Sequence, residues 1–137
     1  MLIESIMTRS IVSAKPDDDL KSLKEVFERA GFHHLLVIEA GKLQGIISDR
    51  DLLRALSPFV ATAAERPLDV ATMRKKAHQI MTRAPVTVAP DTTVQTAIAL
   101  LLEKKVTALP VVSSSGMLLG IVTWRDLLRA CQTNQTL

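Results

Sequence analysis

Hydrophobic and polar positions follow two periods along this chain, and the same succession of periods occurs twice. After Pro16 and the aspartates at 17–19, Leu20, Leu23, Phe27 and Ala30 fall three or four residues apart and Gly31 follows. That spacing predicts an amphipathic helix with a capped start and a glycine stop. The apolar runs "LLVI" and "LQGII" come next, too continuous for a strand with one solvated face, and predict two buried strands around a turn. In the second half, Pro90 and Asp91 precede Thr92 and Gln95, which are spaced as a capping box, and Val94, Ile98, Leu101 and Leu102 form the predicted apolar helix face. "LPVVS" and "LLGIV" then predict the matching strands. Each half therefore reads as an extended segment, a helix, two strands and a second helix.

The duplication is visible residue by residue. "GIISDRDLLRA" at 45–55 returns as "GIVTWRDLLRA" at 120–130 with eight of eleven positions identical. "IMTRSIVSAKPD" at 6–17 answers "IMTRAPVTVAPD" at 80–91, and "HLLVI" at 34–38 answers "ALPVV" at 108–112. The offset is 74 residues for these two blocks and 75 for the last, so "EAGKLQG" against "SSSGMLLG" must absorb one inserted residue in a turn. The expected division is repeat one at 1–56, a partly helical linker at 57–77, repeat two at 78–131 and a tail at 132–137. Within the linker, "DVATMRKKAH" predicts a helix with Asp69 at its start and Arg74, Lys75 and Lys76 near its end.

Composition narrows the function. A chain of 137 residues suits one ordinary domain or two small ones sharing a core. Apolar residues are 47% of the chain, yet no run approaches the ~18 needed to span a bilayer, and the first residues lack signal-peptide order. A cytoplasmic protein without a membrane partner is expected. Cys131 is the single cysteine, so an internal disulfide and a zinc motif are both excluded. The net charge of +3 divides into −1 over residues 1–56 and +4 over 57–137. With scattered basic residues, 3% aromatics and no tyrosine, a nucleic acid is not the expected partner, whereas a small anion suits the charge. No nucleophile elbow, HExxH or Walker loop is present, and no enzyme activity is expected.

Two matching constellations carry the candidate chemistry: Ser48 with Asp51, and Thr123 with Asp126, each a Ser/Thr-x-x-Asp where a buried strand gives way to a helix. One reading is structural, with the hydroxyl capping the helix and the acid complementing its dipole. The other is a ligand site, in which helix N–H groups and the neighbouring Arg50 or Arg125 meet a phosphate while the acid accepts ribose hydroxyls. The glycine fingerprint of dinucleotide-binding folds is absent.

The doubled pattern "IMT…V…P-D…h-P-V-V…G-h-h-S/T-x-R-D-L", with h an apolar residue, resembles a tandem pair of CBS domains, a Bateman module. The resemblance covers both repeats. It implies an α+β fold of two β-α-β-β-α repeats related by pseudo-twofold symmetry, each a small mixed sheet with two helices. It further implies clefts between the repeats for adenosine-containing ligands: AMP, ADP, ATP or S-adenosylmethionine. Carried over, Asp51 and Asp126 are expected to hold ribose, with Ser48, Thr123, Arg50, Arg125, His33 and His34 towards phosphate. Thr8, Ser13, Phe32, His33 and His34 are expected around Asp126, and Thr82, Thr87, Val106, Thr107 and Ala108 around Asp51. The histidines would make the Asp126 cleft the more cationic, suited to the more highly phosphorylated ligand.

Plainer readings accompany these. Adjacent histidines at a strand start point to opposite faces and do not chelate one ion, so no metal is expected, and an ordinary packed or solvent-facing histidine is an equal alternative for one of them. Trp124 reads as a boundary residue ahead of a stacking platform. Arg74, Lys75, Lys76 and His78 read as a solvated face, and the five methionines as core filling. The functional expectation is a regulatory module that requires no cofactor, forms a homodimer and signals in trans to an effector protein. The alternatives are a structural assembly module with empty clefts and a weak nucleic-acid binder.

Overall fold

The computed structural model describes residues 1–133, and these fall into two compact units, a middle unit of Val12–Ala84 and a terminal unit of Met1–Ile11 with the described residues from Pro85 onwards. The part of the expected tail from residue 134 onwards lies outside the described residues, as does the side chain of Ala30.

The middle unit holds β1 (Ser13–Ala14), α1 (Leu20–Ala30), β2 (His34–Glu39), β3 (Lys42–Ser48), α2 (Asp49–Ala55), α3 (Pro67–Ala71), α4 (Ala77–Ile80) and β4 (Thr82–Arg83). Its four strands lie in sequence order, β1 parallel to β2 and the other two pairs antiparallel. The terminal unit holds α5 (Val94–Lys104), β5 (Ala108–Val112), β6 (Leu118–Thr123) and α6 (Trp124–Thr133). Its β5–β6 hairpin is flanked by single bridges, Val88 parallel to Val111 and Thr8 antiparallel to Ile121. Those bridges repeat the positions of β1 and β4 in the middle unit, so both units share the α+β plan of a small mixed sheet with two main helices.

The compact units are not the sequence repeats. The leading segment of each repeat adds to the hairpin of the other: Thr8 pairs beside β6, while Thr82 pairs with Ile46 of β3. The cores follow the same exchange. Ile3 is buried with Val94, Leu101, Leu109, Val111, Val122 and Leu127, whereas Ala77, its repeat counterpart, is buried with Leu20, Leu23, Phe27, Leu35, Val37, Ile47 and Leu52. Burying each large aliphatic side chain contributes roughly 1.5–3 kcal/mol, which holds the leading segment in place. Two glycines make the approach fit. A Cβ on Gly45 would lie 2.6 Å from Met81 Sδ and 2.8 Å from the Thr82 carbonyl, and one on Gly120 would lie 2.9 Å from both Met7 Sδ and the Thr8 carbonyl. The matching methionines fill the core, as their repeat positions predict.

Several predicted details shift. The capping residue of α5 is Thr93, whose hydroxyl accepts from the Thr96 N–H at 3.1 Å, one residue after the expected Thr92. That start turns Ala97 inward and leaves Leu102 75% exposed, outside the apolar face assigned to it. The linker helix expected over 69–78 is broken. Asp69 sits in the first turn of α3, where it is buried and accepts from Ser57 Oγ at 2.7 Å and Arg66 N at 2.8 Å. At Lys75 the backbone extends, because its carbonyl accepts from Leu20 N at 2.9 Å while Ala77 N donates to Asp18 O at 2.8 Å. Tertiary hydrogen bonds to the start of α1 outweigh helix continuation there. Asp19 caps α1 by accepting from Ser22 N at 2.9 Å, and this bond holds its carboxyl below the usual range.

The two main helices end differently. Gly31 closes α1 at φ 67°, and Lys105 takes the same left-handed place after α5 at φ 55°. A side chain in that conformation costs about 1 kcal/mol or more relative to glycine. Lys105→Gly is therefore expected to stabilise the protein by about 0.5–1 kcal/mol in urea unfolding.

Candidate functional site

In both units a strand edge runs into a helix through a hydroxyl and an acid. At the β3–α2 junction Ser48 Oγ accepts from Asp51 N at 3.1 Å and Asp51 Oδ2 accepts from Ser48 N at 2.8 Å, a reciprocal capping box. At the β6–α6 junction Asp126 Oδ2 accepts from Thr123 N at 2.9 Å and from Thr123 Oγ1 at 3.3 Å, while Thr123 Oγ1 receives Asp126 N at 3.5 Å. The structural reading of the motif is therefore realised in the geometry.

Each cap uses the same carboxylate oxygen, and the remaining oxygens differ. Asp126 Oδ1 accepts from Thr8 Oγ1 at 3.5 Å and lies 3.9 Å from Arg129, and the residue is 8% exposed. Asp51 is only half-buried, and its Oδ1 meets no partner among the described residues. Asp51 thus keeps an acceptor that its fold does not use.

The other predicted residues divide between the units. Thr8, Thr87, Val106, Thr107, Ala108, Thr123, Arg125 and Asp126 belong to the terminal unit; Ser13, Phe32, His33, His34, Ser48, Arg50, Asp51 and Thr82 belong to the middle unit. Within the terminal unit the structure brings Thr8 to Asp126 and places Ala108 opposite Thr123 in the hairpin. Val106 is half-buried and Thr87 exposed. Within the middle unit, His34 lies opposite Ser48 in the β2–β3 pairing, and Thr82 is exposed on β4. Ser13 is exposed on β1. Arg50 is exposed, while Arg125 is stacked over the Trp124 ring at 5.3 Å.

The two histidines differ in their surroundings: His33 precedes β2 and is exposed, whereas His34 begins the strand and is half-buried. His33 Nδ1 donates to Asp49 Oδ2 at 2.9 Å, a pair the sequence did not reveal. This bond is the chief cause holding the Asp49 carboxyl below the usual range. His34 has its pKa lowered, first by burial, against the raising influence of Asp49 and Asp51. His33 and Asp49 also line a groove of about 300 Å³ between α1 and α2, with Phe27, Leu52, Leu53 and Leu56 on its walls. No group of three or more histidine, cysteine, aspartate or glutamate side chains suited to a metal occurs among the described residues. None of the described helices is long and apolar enough to cross a membrane.

The CBS domain family matches this chain twice, at residues 3–58 and 77–133. The chain belongs to the CBS domain family. It is 34% identical over 130 residues to a CBS domain-containing protein of Dictyostelium discoideum, covering 93% of this chain and 89% of that one. It is 32% identical over 124 residues to an inosine-5'-monophosphate dehydrogenase of Korarchaeum cryptofilum, covering 90% of this chain but spanning only 23% of the dehydrogenase. Among solved structures, CBSX2 in complex with AMP superposes with a TM-score of 0.81 at 30% identity, over 96% of each chain. The cytosolic domain of the Mg2+ channel MgtE in complex with ATP matches with a TM-score of 0.71 at 27% identity, over 91% of this chain and 46% of that one.

If the hydroxyl–acid box sets the start of α2, its removal should be costly even without ligand. Ser48→Ala is expected to lower unfolding free energy by about 1 kcal/mol in urea titrations of the ligand-free protein.

Proposed function

We propose that this CBS pair is a regulatory module that binds adenosine-containing ligands, with Asp51 and Asp126 accepting the ribose hydroxyls. The observation that carries the reading is the doubled hydroxyl–acid box, in which Asp51 keeps a free carboxylate oxygen. A relative of 30% identity with the same fold over 96% of the chain, solved with AMP, supports the choice of ligand. Ser48, Thr123, Arg50, Arg125 and the histidines serve the phosphate in this reading. AMP, ADP, ATP and S-adenosylmethionine are the ligands to test. Binding regulates through different affinity for two arrangements of the module, and an effector protein reads the outcome.

A structural reading has its own observation. Leu53 and Leu128 occupy matching repeat positions beside the buried Leu52 and Leu127, and they are 72% and 57% exposed. Large apolar residues exposed at the same place in both units support a homodimer formed through the second helices. This assembly is compatible with ligand sensing and can also stand without it.

Calorimetric titration separates the two readings. AMP, ADP, ATP or S-adenosylmethionine is expected to give saturable heat, and Asp51→Ala or Asp126→Ala to weaken it at least tenfold. A fluorescence change at Trp124 should accompany binding and be lost in Asp126→Ala. Absence of heat with all four compounds would favour the assembly reading. Affinity that falls steeply with salt for RNA or DNA and survives both aspartate substitutions would instead indicate nucleic-acid binding. For assembly, sedimentation should give a dimer that the double variant Leu53→Glu, Leu128→Glu converts to monomer.

A further inference from the structure

The repeat offset, 74 residues over the first helices and 75 over the second, matches each position on one helix pair to a position on the other. Both units pack the two helices beside one another, α1 with α2 and α5 with α6. In the middle unit the groove between them carries Lys24, Glu28 and Asp49, with Lys24 and Glu28 paired at 2.8 Å. The same three positions in the terminal unit are Ile98, Leu102 and Trp124. All three charges are thus replaced by apolar side chains. Leu102 is 75% exposed, Leu128 57% and Trp124 44%, while Ile98 is half-buried against the core.

We propose that the α5–α6 face is the contact surface for a second copy of this chain, and that it meets the same face of that copy in preference to the α1–α2 face. The inference rests on the homodimer reading above and gives it an orientation. Two covers are open to a face that exposes Leu102 and Leu128. The partner's α1–α2 face would press Leu102 and Trp124 against Lys24, Glu28 and Asp49. Water would then be stripped from three charged groups by a surface that offers them no hydrogen bond, a cost that offsets the gain from covering the leucines. The partner's α5–α6 face brings the same apolar side chains instead. Both copies then bury Leu102, Leu128 and Trp124 with no charge among them, as a twofold contact of one surface with itself allows.

The neighbouring cations do not call for the acidic cover. Arg129 lies 3.9 Å from Asp126 and Arg125 lies over the Trp124 ring at 5.3 Å, so each has a partner within its own unit. Both arginines also have counterparts in the middle unit, Arg50 and Arg54. Lys105, which stands where the middle unit has Gly31, is exposed at the end of α5, where an ion pair contributes little.

Sedimentation of the full chain, of Leu102→Lys, of Leu102→Glu and of an equimolar mixture of the two variants tests the proposal. Leu102 is exposed, so neither substitution disturbs the core, and circular dichroism of both should match the parent. The parent is expected to be a dimer. Each variant alone should weaken association about tenfold or more, since like charges meet across the contact, and the mixture should regain it, since opposite charges meet there. Glu28→Leu, on the other face, should change the parent's dimer affinity less than about twofold. Contact with the α1–α2 face would give a different pattern: Leu102→Lys would keep the dimer by facing Glu28 and Asp49, and Glu28→Leu would tighten it. Either of those results, or a mixture no more associated than its components, would overturn the proposal and leave the homodimer reading standing. A parent that sediments as a monomer at every concentration would overturn both.

Discussion

At each strand-to-helix junction a hydroxyl and a carboxylate exchange hydrogen bonds with one another's backbone, and this exchange fixes where the acid stands. A free aspartate side chain samples several rotamers and loses entropy when it grips a ligand. Here the cap has already ordered it: Asp51 Oδ2 is committed to Ser48 N at 2.8 Å, and Asp126 Oδ2 to Thr123 N at 2.9 Å. The structural and functional readings of the motif are therefore complementary. A cap that spends one oxygen leaves the other preorganised.

The caps in turn depend on the hairpins that deliver them, and each hairpin depends on a segment from far along the chain. Gly45 and Gly120 leave room for Met81 and Met7, whose following threonines pair along β3 and β6. In the terminal unit this exchange puts Thr8 within 3.5 Å of Asp126, so a residue near the chain start touches an acid near its end. The matching acid in the middle unit has no such contact among the described residues. Duplication thus supplied two junctions of one design, and their surroundings have since diverged, with Asp49 and His33 on one side and Trp124 and Arg125 on the other.

Much of this was legible in the sequence because it rests on local chemistry. The periodicity of Leu20, Leu23 and Phe27, the glycine stop at Gly31 and the continuous apolar runs gave helix and strands directly, and the shared "RDLLRA" exposed the duplication and the fold family. What escaped was set by contacts distant in sequence. The broken linker helix follows from hydrogen bonds between Lys75, Ala77 and the start of α1, and propensity carries no sign of them. The exchange of leading segments had a signal, the paired glycines and methionines at equal offsets, but packing alone explained each methionine. His33 was legible as a candidate and its partner was not, since a strand start and the next-but-one element meet only in three dimensions.

The central claim is that the two capped acids are ligand groups, and amide NMR during an AMP titration addresses it most directly. The N–H groups of Ser48, Asp51, Thr123 and Asp126 report each cap from within. Saturable shifts centred on one or both sets are the predicted result. Shifts confined to the basic linker around Arg74–Lys76, with all four cap amides unmoved at saturating AMP, would contradict it.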